Sequence, residues 1–139
     1  MWTREKLQSY QQWLIRADDT YKTWERLKER KEQLGSGSDG LPRSSSMRAF
    51  DSAVIKTDAA AQRYWEHHVE ALTARDEIEQ FIKNLDKPIR KNIFTLKYIK
   101  GMTSQEVGDK VGYSRVEVER TISKVLNEHN VNSLHMVTH

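Results

Sequence analysis

Thr103-Ser104-Gln105-Glu106-Val107-Gly108-Asp109-Lys110-Val111-Gly112-Tyr113-Ser114-Arg115-Val116-Glu117 holds two helix-start signatures eleven residues apart. In each, a hydroxyl residue is followed three positions later by glutamate. The hydroxyl can then accept from the third backbone N–H while the carboxylate returns to the first. Lys110-Val111-Gly112-Tyr113 lies between them, with glycine where the chain must reverse,. Val107, Val111, Tyr113, Val118 and Ile122 fall at spacings that turn them into one shared core, and Gly108 is the small residue expected at a close approach,. A short helix, a glycine-containing turn and a longer helix form a helix-turn-helix unit.

Upstream, Leu85-Asp86-Lys87-Pro88 ends one helix and starts another, with Asp86 as the expected N-cap and Pro88 in the first turn,. Ile89, Ile93 and Leu96 form the apolar stripe of that helix, and Gly101 stands beyond its end, where a positive φ is often required,. The helix-turn-helix domain is therefore expected over residues 86–129, followed by a frayed tail at 130–139.

Residues 1–85 read differently. A first helix is expected from an N-cap at Thr3 to about residue 34. Leu7, Tyr10, Leu14, Ala17, Tyr21 and Trp24 form its stripe, and Trp13 and Leu27 widen it,. Gly35 is the expected stop, and the Gly/Ser-rich stretch 35–46 reads as a connecting loop. A second helix, 47–85, carries Phe50, Val54, Thr57, Ala61, Tyr64, His68, Ala71, Arg75, Ile78, Ile82 and Leu85 in four-three alternation. The fold class is thus all-α, a long antiparallel helical hairpin followed by the helix-turn-helix domain. The two stripes carry more apolar surface than one hairpin buries, so self-association through 1–85, as a dimer or a higher oligomer, is expected.

Composition narrows the function. The 139 residues include no cysteine, which excludes disulfides and thiolate metal sites,. No apolar run is long enough to span a bilayer and the charged start is not a signal peptide, so a cytoplasmic protein without a membrane partner is expected. The formal net charge is +3, with the middle of the chain acidic and the C-terminal part basic,. No glycine-rich phosphate loop, nucleophile elbow or paired catalytic carboxylate is present, so neither an enzyme nor a cofactor is expected. His67 and His68 are adjacent on a helix and cannot share a metal, and His129, His135 and His139 lack acidic partners at ligand spacing, so no metal site is expected,. Trp2 reads as a loose end.

Leu85–Arg90, then Leu96–Thr103, then Val107–Arg115 together resemble region four of bacterial sigma factors. The layout as a whole is similar to phage transcriptional regulators of the ArpU and RinA type. That resemblance implies a sequence-specific DNA-binding regulator of late, packaging or structural phage genes, working in a bacterial host. It places the helix 115–128 in the major groove of double-stranded DNA. With Val118, Ile122 and Val125 inward, Arg115, Val116, Glu119, Arg120 and Ser123 form the base-reading face. Lys91, Lys100, Thr103, Ser104, Gln105, Lys110, Ser114 and Lys124 are the expected phosphate contacts, with Lys87, Arg90 and Lys97 adding to the positive field. Glu117, Glu119 and Glu128 formally cancel Arg115, Arg120 and Lys124 along this helix. Two other readings stay open: a protein that engages host RNA polymerase or another host protein, and a packaging factor like a small terminase.

Overall fold

The computed structural model describes residues 1–36 and 43–137, with side chains for 1–34 and 47–132. It is all-helical: α1 Arg4–Ser36, α2 Arg43–Lys83, α3 Pro88–Phe94 running into a π-helical turn at Thr95–Ile99, α4 Ser104–Val111 and α5 Arg115–Val137. No described residue lies in a strand. No described helix is long and apolar enough to cross a membrane.

The chain divides into two compact units. One comprises Met1–Gln12 with Leu72–His139, the other Trp13–Ala71. The boundary expected between residues 85 and 86 falls inside the first unit, which takes in the end of α2 from Leu72 as well as the first turns of α1.

In the unit 13–71, α1 and α2 pair antiparallel. Trp13 meets His67 at 5.7 Å between ring centroids, and Tyr21 and Trp24 meet Tyr64 at 5.3 and 6.4 Å. The seam differs in phase from the expected one. On α1, Leu14 and Tyr21 are exposed, while Ala17 is buried and Trp13, Thr20, Trp24 and Leu27 turn partly inward. On α2, Ala53, Thr57, Ala60 and Ala71 are buried, whereas Phe50 is exposed and Val54, Ala61 and His68 are only half-buried. Each alternate seam position has stepped back by one residue. The small residues are the ones enclosed, and they let two backbones approach without burying the imidazole of His68. Thr57 tolerates burial because its hydroxyl donates to the Ala53 carbonyl at 2.6 Å,.

The expected loop at 35–46 is shorter than the sequence implies. Gly35 and Ser36 continue α1, and residues 43–46 already belong to α2; 37–42 lie outside the described residues. A glycine near the end of a 33-residue helix costs only about 1 kcal/mol, too little to stop it,. At its other end α2 finishes at Lys83 rather than 85.

The first unit has the denser core: Leu7, Ile78, Ile93, Phe94, Tyr98, Val107, Val118 and Ile122 are at most 1% exposed. The expected α3 stripe is displaced. Ile89 and Leu96 are only half-buried, while Phe94 and Tyr98 go to the centre. At Tyr98 the displacement follows the π turn, closed by the Lys100 N–H bonding to the Thr95 carbonyl at 3.0 Å. A turn closed five residues apart carries Tyr98 round onto the face of Ile93 and Phe94. Asp86 is not the N-cap either. Lys87 occupies that position without a side-chain bond, and the Asp86 carboxylate instead accepts from Arg90 at 3.3 Å.

Gln11 shows why residues 1–12 belong here. Its amide donates to the carbonyls of Tyr98 and Ile99, at 3.2 and 3.0 Å, at the end of the π turn,. Trp2 is likewise no loose end: it packs on Phe81 at 4.7 Å, and its carbonyl accepts from Asn130 at 3.1 Å. The expected tail is helical as far as Val137, with His129 edge-on against Phe81 at 5.0 Å.

The two expected capping boxes both form. Thr103 Oγ1 accepts from the Glu106 N–H, and Ser114 Oγ from the Glu117 N–H, with each glutamate carboxylate accepting in return. Gly112 closes α4 at φ +79°, and Gly101 sits at φ +75°. A Cβ on Gly108 would lie 2.4 Å from the Tyr113 carbonyl oxygen, so this glycine accommodates the turn itself rather than a crossing of two helices. Gly108→Ala should therefore lower stability by about 1–3 kcal/mol in chemical denaturation. An unchanged midpoint would show that the turn relaxes freely.

Candidate nucleic-acid interface

The outward flank of α5 is a shallow concave strip of about 670 Å³, lined by Arg115, Val116, Glu119, Arg120, Ser123, Lys124, Asn127 and Glu128. All five residues expected to read bases thus line one surface, with Val118, Ile122 and Val125 buried behind it. Val116 is 56% exposed, an apolar group held at the surface by its place in the first turn of α5.

The acids on this helix are each engaged. Glu117 serves the Ser114 capping box. Glu128 pairs at 2.8 Å with Arg90, which also reaches Asp86 and is itself only 6% exposed. That hydrogen bond from Arg90 holds the Glu128 carboxyl below the ordinary glutamate range. Arg90 is therefore a buried tie between α3 and α5, not part of a positive field as the sequence suggested.

Glu119 is the centre of the arrangement. One carboxylate oxygen accepts from the Ser104 hydroxyl, and Lys97 Nζ stands 3.9 Å from the same oxygen. The other accepts from Arg4 Nη1 at 2.7 Å. Arg4 Nη2 donates to Ser123 Oγ at 2.8 Å and to the Glu119 carbonyl at 3.3 Å. Lys97 in turn donates to Ser104 at 2.9 Å. The Ser104 hydroxyl, against the opposing effect of partial burial, and then Arg4 and Lys97 lower the Glu119 pKa.

Two expectations change as a result. Ser104 is 6% exposed and bridges Lys97 to Glu119, so it is not placed to meet a phosphate. Lys97, expected in the surrounding field, is committed to the same knot. Glu119 lines the strip, but its carboxylate is occupied by protein donors. Ser123 lies on the strip with its hydroxyl accepting from Arg4.

The remaining cations point outward. Arg115, Arg120 and Lys124 are exposed and take part in no ion pair among the described residues. The same holds for Lys91 on α3, Lys100 after the π turn and Lys110 at the end of α4. Thr103, Gln105 and Ser114 are exposed, although their side chains already bond within the protein: Thr103 and Ser114 in the capping boxes, Gln105 to Asp109 at 3.2 Å. The formal charge cancellation along α5 is thus resolved in space, with acids drawn to internal partners and bases presented to solvent.

Among the described residues, no group of three or more His, Asp or Glu side chains is placed to hold a metal. Sequence reasoning missed Arg4, which bonds Glu119 and Ser123 of the strip, and Gln11, which ties α1 to the end of the π turn. Neither belongs to a motif, and both lie some ninety residues or more from their partners in sequence. No known protein family, characterised protein or solved structure matches the chain.

The Glu119 knot makes stability depend on pH in a defined direction. A carboxyl whose pKa is lowered on folding stabilises the fold above its unfolded value and loses that contribution as pH falls through its folded one. The thermal midpoint of the wild type should exceed that of Glu119→Gln at neutral pH, and the gap should close as pH drops below the ordinary glutamate value of 4.5. A gap that stays constant from neutral pH to pH 3 would contradict an ionised, paired Glu119.

Proposed function

We propose that this protein is a sequence-specific regulator that binds double-stranded DNA, with α5 lying in the major groove. The observation that carries this reading is the segregation of charge on α5. Arg115, Arg120 and Lys124 stand on one strip without an ion pair among the described residues, while Glu117, Glu119 and Glu128 are held by internal donors. A basic, rigid helix face beside a capped turn suits the groove, where arginine can bond bidentately to guanine and Val116 can touch a thymine methyl.

Lys91, Lys100, Lys110 and Lys124 supply exposed charge for phosphates around that helix, along with Thr103, Gln105 and Ser114 at the two helix starts,. Together with the sigma-like pattern of residues 85–115, this supports control of transcription, and the phage setting rests on that resemblance alone. The hairpin unit supports self-association. Ile15, Ile55 and Trp65 are 63, 69 and 61% exposed, more apolar surface than a solitary hairpin ordinarily presents,. Two copies would offer two α5 helices to paired half-sites. Sedimentation of a single monomer at tens of micromolar would remove the paired arrangement.

Groove reading predicts a split between base and phosphate contacts. Arg115→Ala or Arg120→Ala should weaken a selected high-affinity duplex by about 1–3 kcal/mol and random duplex far less. Lys91→Ala or Lys100→Ala should weaken both alike and reduce the salt slope by about one unit. Binding would be measured by fluorescence anisotropy after site selection from a random pool. Arginine variants that bind the selected site as tightly as wild type would overturn the assignment and favour a protein partner.

A further inference from the structure

Arg4 occupies a position that the DNA-binding reading does not by itself require. It lies at the very start of α1, yet its guanidinium spans a full turn of α5, bonding the Glu119 carboxylate, the Glu119 carbonyl and the Ser123 hydroxyl. Both residues it grips line the outward strip, between Arg115 at one end and Lys124 towards the other. The Glu119 side chain remains 40% exposed and that of Arg4 35%, so this pair is part of the surface a duplex would meet.

A bare carboxylate there would oppose every phosphate approaching α5. Ser104 and Lys97 engage only one of its oxygens, and Lys97 at 3.9 Å is the more distant cation. Arg4 covers the other. Its planar fork can satisfy carboxylate, carbonyl and hydroxyl at once, which an ammonium group matches poorly.

We infer that Arg4 is a positioning residue for DNA binding: it holds the Glu119 carboxylate against the protein and cancels its charge, so that α5 presents a continuous basic strip. The N-terminal turn of α1 is then a required part of the interface, although no base contact need come from it. This inference rests on the DNA-binding reading of α5. The segment's own placement does not depend on Arg4, because Leu7 and Tyr10 are buried and Gln11 and the Trp2 carbonyl are bonded to the same unit.

The test is a double-mutant cycle in the full chain, with duplex affinity read by anisotropy at low and high salt and melting curves to verify folding. Arg4→Ala should weaken binding to selected and random duplex alike, by roughly tenfold at low salt, with the loss shrinking at high salt. Glu119→Gln should bind more tightly than wild type, because Arg4 is then uncompensated at the surface. Adding Glu119→Gln to Arg4→Ala should restore binding to about the wild-type level, because the carboxylate that Arg4 masked is then gone. Arg4→Lys should fall between wild type and Arg4→Ala. A double variant as weak as Arg4→Ala alone would overturn the inference, since the loss would then not come from an unmasked Glu119. An Arg4→Ala variant that is folded and binds like wild type would also overturn it. Wild type that binds no duplex would instead defeat the DNA-binding reading, and this inference with it.

Discussion

The Glu119 carboxylate sits where four parts of the chain meet: Arg4 from α1, Lys97 from the π turn, Ser104 from α4, and α5 itself. A half-buried acid on a surface helix is costly unless its lone pairs are met, and here each oxygen has a donor. The same bonds link α4 to α5, tie the first turn of α1 to α5, and remove a negative charge from the basic strip. Stability and the electrostatics of the face depend on one side chain. Residues 1–12 belong with the C-terminal unit through the buried Leu7 and Tyr10 and the bonds of Gln11 and the Trp2 carbonyl, and the Arg4 pair adds to these.

The apolar core beneath it is arranged to leave that face rigid. Val107, Val118 and Ile122 are fully enclosed, and Phe94 and Tyr98 fill the space between α3 and the rest at 5.6 Å centroid separation. Burying side chains of this size stabilises by about 1.5–3 kcal/mol each, enough to fix α5 before any partner arrives. The unit 13–71 is built otherwise. Its seam is lined by alanine and by half-exposed aromatic rings, with large apolar residues left on the outside. A thin seam with outward apolar groups suits association better than independent rigidity.

Much of this was legible because it is local. Capping boxes, the left-handed Gly101 and Gly112, and the inward Val107, Val118 and Val125 are set by neighbours within four residues, whereas Val111 is only half-buried. The hairpin's helices were legible from periodicity, but not the phase of their seam. The sequence offers two adjacent stripes, 54–61–68 and 53–60–67, and only packing against α1 selects the one with Ala53 and Ala60. The π turn was invisible because nothing in Thr95–Ile99 forbids an ordinary helix. The roles of Arg4, Gln11, Ser104 and Arg90 were illegible for a different reason. They arise from contacts across 15 to 115 residues, and a charged or amide side chain carries no mark of its distant partner. The one hint was a cation in the first turn of α1, where the helix dipole favours an acid.

We propose that the outward strip of α5 is the surface that meets DNA. Backbone hydrogen exchange of the full chain, with and without a saturating selected duplex, tests it without altering any residue. Added protection is expected in α4, the 112–114 turn and the first three turns of α5, with little change across residues 43–71. Protection confined to the hairpin, with α5 unchanged, would contradict it.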